Sequence, residues 1–496
     1  NGSTTQAPCG LGTWNNMTGQ SSCMDASVGH YVDTNGSTTQ APCGLGTWNN
    51  MTGQSSCTNA SAGHYVPQYT PVGSIDGGYE HTCAVLYDGS LWCWGRNSYG
   101  QLGVGSYADK SAPAEVSLPE GIGVTSVSLG YEHTCAVLDD GSVSCWGRNS
   151  YGQLGDGTTN DSAAPVFVSL PSNAISVAAA KRHTCAVMEN GSAHCWGFNY
   201  YGSLGDGTTS DSSAPVDVIL PANRSIVTLS AGKYQTCAVL DNGTAHCWGA
   251  NGFGQLGDGT FSHRSIPTPV DLPADWHVTS VAAGSIFSCA LLESGSAFCW
   301  GNNSYGQLGD GSNNHSSTPI EVSLPLGRSI ISFSAGEQHT CAVMDNGSAA
   351  CWGWNDYGQL GNDDNTGGAS PVFVILPSGT GVASTGLGDT HSCSVLENGS
   401  AICWGFGGSG RLGDGMSQGS WTPVNVSFPL ADAIMEFPCP GGTYNPGSGS
   451  NSSSDCGEVP AGNYSGPGAS APTPCSMGTW QDQAGQSSCM NASVGH

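Results

Sequence analysis

HTCAVLDDGSVSCWGRNSYGQLGDG, residues 133–157, decides the fold. Its first half spells a hairpin: an apolar segment (HTCAVL), a turn (DDG) and a second apolar segment (VSCWG). Glycine at the third turn position supplies the left-handed residue and bulge that a three-residue hairpin loop needs. That loop length sets Cys135 opposite Cys145 on antiparallel strands, about 4.5 to 5.5 Å apart at Cα, within the span of a disulfide. The ten-residue spacing recurs in Cys83 with Cys93, Cys185 with Cys195, Cys237 with Cys247, Cys289 with Cys299, Cys341 with Cys351 and Cys393 with Cys403, making seven units 50 or 52 residues apart. Each unit adds a short apolar segment before the hairpin, such as VTSVSLG, and a proline-led one after the Gly-rich stretch, such as APVFVSL. Four short strands per unit predict a propeller blade, and seven intrablade disulfides follow.

Composition narrows the function classes. Ten Lys+Arg against 37 Asp+Glu leave a formal net charge of -27 over 496 residues, which argues against nucleic acid as a partner. No stretch approaches the twenty or so apolar residues of a membrane span. The opening NGSTTQAPCG lacks the basic start and apolar core of a signal peptide, so a mature form or an internal fragment is expected. Twenty-two cysteines in a paired pattern point to an oxidising compartment, placing the chain outside the cell or at its surface. Zinc is disfavoured because the pairs lie on hairpins instead of CxxC knuckles and no histidine pair recurs at a complementary spacing.

A second signal does not depend on cysteine. Asn-x-Ser/Thr occurs at Asn1, Asn16, Asn35, Asn50, Asn59, Asn160, Asn190, Asn223, Asn242, Asn302, Asn314, Asn346, Asn398, Asn425, Asn451, Asn463 and Asn491, an excess best explained by N-linked glycan acceptors. Asn190, Asn242, Asn346 and Asn398 fall on predicted hairpin tips, where NGS is also good turn chemistry.

GYEHTCAVLDDGSVSCWGRNSYGQLGDGT resembles the regulator of chromosome condensation repeat, over about residues 72 to 437. The resemblance rests on His133-Thr134, Asp140-Gly141, Trp146-Gly147, Asn149, Gly152, Leu154-Gly155 and Pro165, and implies a seven-bladed β-propeller. Its members range from nucleotide exchange on a nuclear GTPase to secreted inhibitors, so the fold does not settle function. The acidic surface, hairpin cysteines and crowded sequons speak against the nuclear activity. His81, His133, His183, His339 and His391 recur in register but are missing from blades four and five. They are expected to hydrogen-bond within each blade. The tryptophans from Trp94 to Trp404 read as packing between blades. The GDG loops at Asp156, Asp206, Asp258, Asp310 and Asp414 offer oxygens to calcium but lack the alternating acidic ligands of a dedicated site, so they read as turns. No catalytic constellation recurs at an interpretable spacing, and no enzyme, metal site or cofactor is expected.

The flanks, 1–66 and 438–496 around a propeller at 67–437, are small cysteine-rich arrays. Residues 1–23 return identically at 35–57. With C-x-x-G-T-(W/Y), a Gly/Ser-rich stretch, a second cysteine and AS-x-GHY or PAGNY in each, the modules resemble the repeats of ephrin-receptor-like and tumour-necrosis-factor-receptor-like ectodomains. Two pairings are open: Cys9 with Cys23, Cys43 with Cys57, Cys439 with Cys456 and Cys475 with Cys489, or bridges joining Cys23 to Cys43 and Cys456 to Cys475. Modules this small need bridges in place of a core. Because MNASVGH at the end matches MDASVGH at 24–30, the chain is expected to be a window of a longer repetitive protein or one unit of a polymer. Ring closure is open as well, since VGSID at 72–76 and AIMEF at 433–437 both suit the first strand of blade one. Two functions fit: a structural glycoprotein self-associating into a filament or cell-surface appendage, similar in architecture to flagellar hairs, or a recognition ectodomain whose propeller face binds a protein or glycan.

Overall fold

The computed structural model describes residues 70–429 apart from 120 and 274, together with parts of 9–65 and 437–491. The chain divides into two compact units, Val72–Ser427 and the flanks Asn1–Pro71 with Phe428–His496.

The first unit is a seven-bladed all-β propeller, each blade four antiparallel strands in sequence order. Blade two shows why. Its inner strand Val124–Leu129 leads to His133–Leu138, which turns back as Val143–Gly147 before the outer strand Ser162–Phe167. The second strand is buried along its whole length, and so is the third, because each is covered by a neighbouring blade on either face. The hairpin turns as its residues dictate: Leu138 N–H donates to Ser142 O, Gly141 N–H donates to Leu138 O, and Gly141 takes φ 80°. Counting back from that bond, Cys135 and Cys145 form a pair without mutual backbone hydrogen bonds, the narrower type of pair. Their Cα atoms are 4.1 Å apart, closer than the sequence-based range. The other six expected pairs are disulfides as well: Cys83 with Cys93, Cys185 with Cys195, Cys237 with Cys247, Cys289 with Cys299, Cys341 with Cys351 and Cys393 with Cys403. Their Cα separations are likewise 4.0 to 4.1 Å, because each pair occupies the same narrow register position.

The core lies between blades. The Cys135–Cys145 bridge packs with Val137, Val143 and Leu154 of its own blade against Ala186, Met188 and Trp196 of the next. The disulfides of blades one to six thus each occupy a packing position under the following blade's tryptophan. Gly155 passes so close to that ring that a Cβ would lie 2.7 Å from Trp196 Nε1, and its φ of 72° suits glycine.

Val72–Gly77 is the inner strand of blade one, which resolves the ring-closure alternatives in favour of VGSID. Residues 433–436 lie outside the described residues. Phe437–Pro438 instead pair antiparallel with His64–Tyr65 in the second unit. In that unit the Cys9–Cys23 and Cys43–Cys57 bridges each accompany a two-stranded ribbon, Thr13–Trp14 with Met24–Asp25 and Thr47–Trp48 with Thr58–Asn59. Bridging is therefore within modules at the N-terminal end. Cys456 and Cys475 are also disulfide-bonded, while Cys439 and Cys489 lie outside the described residues.

Candidate binding face

Strand alternation gives the propeller two chemically different faces. The first-to-second loops (Gly-x-x-His) and the long third-to-outer loops emerge on one, the loop face. The second-to-third hairpins and the connectors to the next blade emerge on the other, the hairpin face.

The loop face is built on a repeated stitch. Gln153 O accepts from Thr184 Oγ1 at 2.9 Å and Trp196 Nε1 at 2.8 Å, both in the next blade. Since the threonine proton goes to that carbonyl, the hydroxyl accepts from His133 Nε2 at 2.8 Å, leaving Nδ1 as the bare nitrogen. The histidines therefore bond across seams, not within blades as expected: His81 to Thr134, His183 to Thr236, His339 to Ser392 and His391 to Thr82. The reason is geometric, because the hydroxyl opposite each ring belongs to the neighbouring second strand. Burial drives His81, His133, His183 and His339 down to about 3, so they are neutral. In the two blades without histidine, Gln235 donates to Gly284 O at 2.8 Å and Phe287 fills the space.

Blade seven departs most at the seam that closes the ring. Arg411 stands at the position of Gln153, and its carbonyl accepts from Thr82 and Trp94 of blade one. Its buried guanidinium also donates to Glu80 Oε1 at 2.9 Å and Thr390 Oγ1 at 3.0 Å and lies over Phe406. The segment WGFGGSGRLGDG lacks the asparagine of the other blades, but sequence reasoning missed this ion pair. The signal was the exchange of Gln for Arg at one repeat position.

The GDG carboxylates serve their own loops. Asp156 Oδ1 accepts from Thr158 N at 2.9 Å and from Asn149 Nδ2 at 3.2 Å, and Asp258 accepts from Thr260 and Arg264. Asp206, Asp310 and Asp414 accept likewise from Thr208, Ser312 and Met416. Among the described residues no group of three or more His, Cys, Asp or Glu is placed to hold a metal.

At the centre of this face, the residue after the glycine of each Gly-x-x-His loop, or after Ala180 in blade three, lines the channel mouth: Tyr79, Tyr131, Lys181, Lys233, Ser285, Glu337 and Asp389. Tyr79 stacks on Tyr131 at 3.6 Å, and Lys181 Nζ lies 4.0 Å from the Tyr131 centroid. Glu337 accepts from Lys233 at 3.2 Å and Ser285 at 2.9 Å. Burial and the nearby Glu337 charge raise Asp389 to about 7.

Around the mouth run two aromatic arcs. Tyr151, Phe198, Tyr200, Tyr201 and Tyr234 form one, with Arg182 over Tyr151 and Phe198. Tyr305, Trp354, Tyr357 and Phe406 form the other. Tyr200 is 67% exposed, Tyr305 45% and Phe253, between the arcs, 42%.

The sequons divide differently. Asn190, Asn223, Asn242, Asn346, Asn398 and Asn425 all sit on the hairpin face or at the strand ends beside it. Asn160 and Asn314 are exposed on the loop face, next to the outer strands and away from the mouth. Asn302 is a correction. It is 5% exposed, and its Oδ1 accepts from Ser304 N and Gln307 Nε2, so it has no room for a glycan. In the flanks Asn35 and Asn59 are exposed and Asn463 is half-buried, whereas Asn1, Asn16, Asn50 and Asn451 lie outside the described residues, as does the side chain of Asn491.

A family model described as the RCC1-like domain matches residues 163–443, and models of the regulator of chromosome condensation (RCC1) repeat match 74–101, 88–137 and 124–153. The ultraviolet-B receptor UVR8 of Arabidopsis thaliana is 31% identical over 372 residues, covering 73% of this chain and 72% of that protein. The probable E3 ubiquitin-protein ligase HERC4 of Homo sapiens is 36% identical over 353 residues, which are 68% of this chain and 33% of the ligase. The crystal structure of Prp20p from Saccharomyces cerevisiae superimposes with a TM-score of 0.60 at 25% identity, covering 73% of this chain and 88% of that one. A seven-bladed ring, its repeated sequence and these likenesses together make the chain a member of the RCC1-like β-propeller family.

Proposed function

We propose that this chain is an extracellular glycoprotein whose propeller is a recognition module, binding a protein or glycan partner on its loop face. One observation carries the reading: six of the described propeller sequons cluster at the hairpin face, while eight of the eleven exposed aromatics lie on the other, the exceptions being Tyr87, Phe167 and Phe373. Aromatic side chains give large contact area at small entropic cost and dominate binding surfaces. Seven buried disulfides support an oxidising location. Protein binding has precedent among the relatives, since yeast RCC1 (Prp20) has been crystallised with Kap60 and Prp20p studied for its binding to Gsp1p and histones. The chemistry described needs no catalytic group.

The test is steric. Sequons added on the loop face, for example by Met416→Asn with Gln418→Thr, should abolish capture of the native partner from the organism's extracellular material. Extra glycans on the hairpin face should leave capture intact. Equal loss from both faces would sink the assignment.

A second reading, self-association into a filament, draws on the identical residues 1–23 and 35–57, whose described parts fold as the same bridged ribbon. Electron microscopy of untreated native material decides it, because regular filaments support it and dispersed particles exclude it.

A further inference from the structure

One connector on the hairpin face departs from those of the other blades. Two residues before their inner strands, blades two, three, four, six and seven have Ile122, Ser172, Arg224, Arg328 and Thr380, whereas blade five has Trp276 before its strand Val278–Ala283. This connector crosses the hairpin tip of blade four, where Val278 N–H donates to Gly243 O at 2.9 Å. Trp276 packs on Phe298 of blade five at 4.7 Å between ring centroids, yet it is only half-buried. With Val270, Leu272 and Pro273 it lines a cavity of about 320 Å³, and the exposed sequon residue Asn242 belongs to the same lining. Asn242 Oδ1 accepts from Thr244 N at 3.2 Å and from Thr244 Oγ1 at 2.8 Å. That leaves Nδ2, the atom to which a glycan is joined, outside the bonds of the turn.

On the reading of the chain as a glycoprotein, we propose that the glycan of Asn242 folds back into this cavity, its first N-acetylglucosamine lying against Trp276. The sugar is then a tethered cover for the seam between blades four and five. A pyranose presents C–H groups on its faces and the acetamido group ends in a methyl, so both gain by leaving water against an indole and aliphatic side chains. Arg224, whose guanidinium meets Asp241 at 3.4 Å, also lines the cavity and brings N–H donors for the sugar's oxygens. Tethering does the rest, because a sugar joined to a residue of the lining is held at high effective concentration, and a contact too weak for free sugar suffices. Most of the described propeller sequons share this face, so their glycans keep a protein partner away while the one on Asn242 starts inside the lining. The seat is particular to Asn242: the tips bearing Asn190 and Asn346 meet connectors with Arg224 and Thr380 in the tryptophan's place.

The experiment is hydroxyl-radical footprinting of the full, disulfide-bonded chain made in a glycosylating host. Mass spectrometry reads oxidation at each tryptophan and occupancy at each sequon. Trp276 should be protected in the glycosylated chain, stay protected when every glycan is trimmed to its first sugar, and oxidise several-fold faster in Asn242→Gln. Thr244→Ala, which removes the sequon and keeps the asparagine, should repeat that result, while Asn190→Gln leaves Trp276 protected. Trp421, 47% exposed, is the control that should not change. Equal oxidation of Trp276 with and without the Asn242 sequon overturns the proposal. Protection lost on trimming also overturns it, since outer sugars would then be a mere screen. Asn242 bare while other sequons are occupied defeats the proposal alone, whereas sugar at no sequon removes the glycoprotein reading and the proposal with it.

Discussion

The propeller and its flanking modules both carry disulfides, for different physical reasons. In the modules the bridge stands where a core would be, since Cys43–Cys57 holds a ribbon of two-residue strands that is marginal alone. In the propeller the bridge sits inside a core that already exists, packed with Leu154 beneath Trp196. The same covalent bond creates a fold in one region and reinforces one in the other.

The sharpest way to break this comparison is to remove a bridge from each region. Cys43→Ala with Cys57→Ala should abolish its module completely, seen as rapid chymotryptic cleavage after Trp48 while the propeller survives. A module that stays resistant would show that its turns, not its bridge, define it. Arg411→Ala comes next. Removing one partner of a buried ion pair costs about 3 kcal/mol at the lower end of the usual range, because Arg96 still neutralises Glu80. Gln153→Ala at an internal seam should cost about 1 kcal/mol, since the backbone carbonyl that makes the stitch remains. Denaturant melts that rank these two in the other order would remove the special status of the closing seam.

The paired substitution Cys135→Ala with Cys145→Ala should cost about 2 to 3 kcal/mol, the loop-closure entropy of the unfolded chain, and leave the propeller's circular dichroism unchanged. The smallest effect per residue concerns acid. A buried histidine with its folded pKa near 3 binds no proton where the unfolded chain does, so its stabilisation is present above 6.5 and is lost as pH falls from 6.5 towards 3. Each such histidine contributes a slope of at most about 1.4 kcal/mol per pH unit. Asp76 and Asp389, raised to about 7, work in the opposite sense between 3.8 and 7, because the folded state binds their protons more tightly. The histidines outnumber them, so the propeller should weaken on acidification. His183→Gln, imitating Gln235 of the next blade, should lower the acid slope by one histidine's share with little change at neutral pH.

Most of the ring was legible in the chain because its information is local and repeated. Cysteine spacing and the DDG turn define the strand register of a blade without reference to any other blade. What lay between blades was harder to read. Four of the five histidine partners sit 51 or 53 residues away, about one repeat, and the fifth, Thr82 of His391, sits 309 away across the closing seam, so a reading confined to one blade assigns them to the wrong neighbour. Arg411 and Glu80 are 331 residues apart, and only closure of the ring brings them together. Asn302 shows the limit of a motif, for its three residues satisfy the sequon while Gln307, five positions on, occupies its side chain. The division of faces, by contrast, follows from strand alternation once four strands per blade are granted. Exposure of Phe253 and the stacking of Tyr79 on Tyr131 required coordinates.

The Gly-x-x-His loop separates two duties within four residues. Its histidine or glutamine faces the next blade and keeps the ring together, while the residue after the glycine faces the channel. Within this one chain that channel position holds Tyr twice, Lys twice, Ser, Glu and Asp while the blades around it stay superimposable in register. The mouth can therefore change its chemistry at seven positions that bond to one another, as in Lys233–Glu337–Ser285 and Tyr79–Tyr131, but not to the seam stitches. A propeller built this way separates the seven residues that vary at the mouth from those that hold the ring, which can stay as they are.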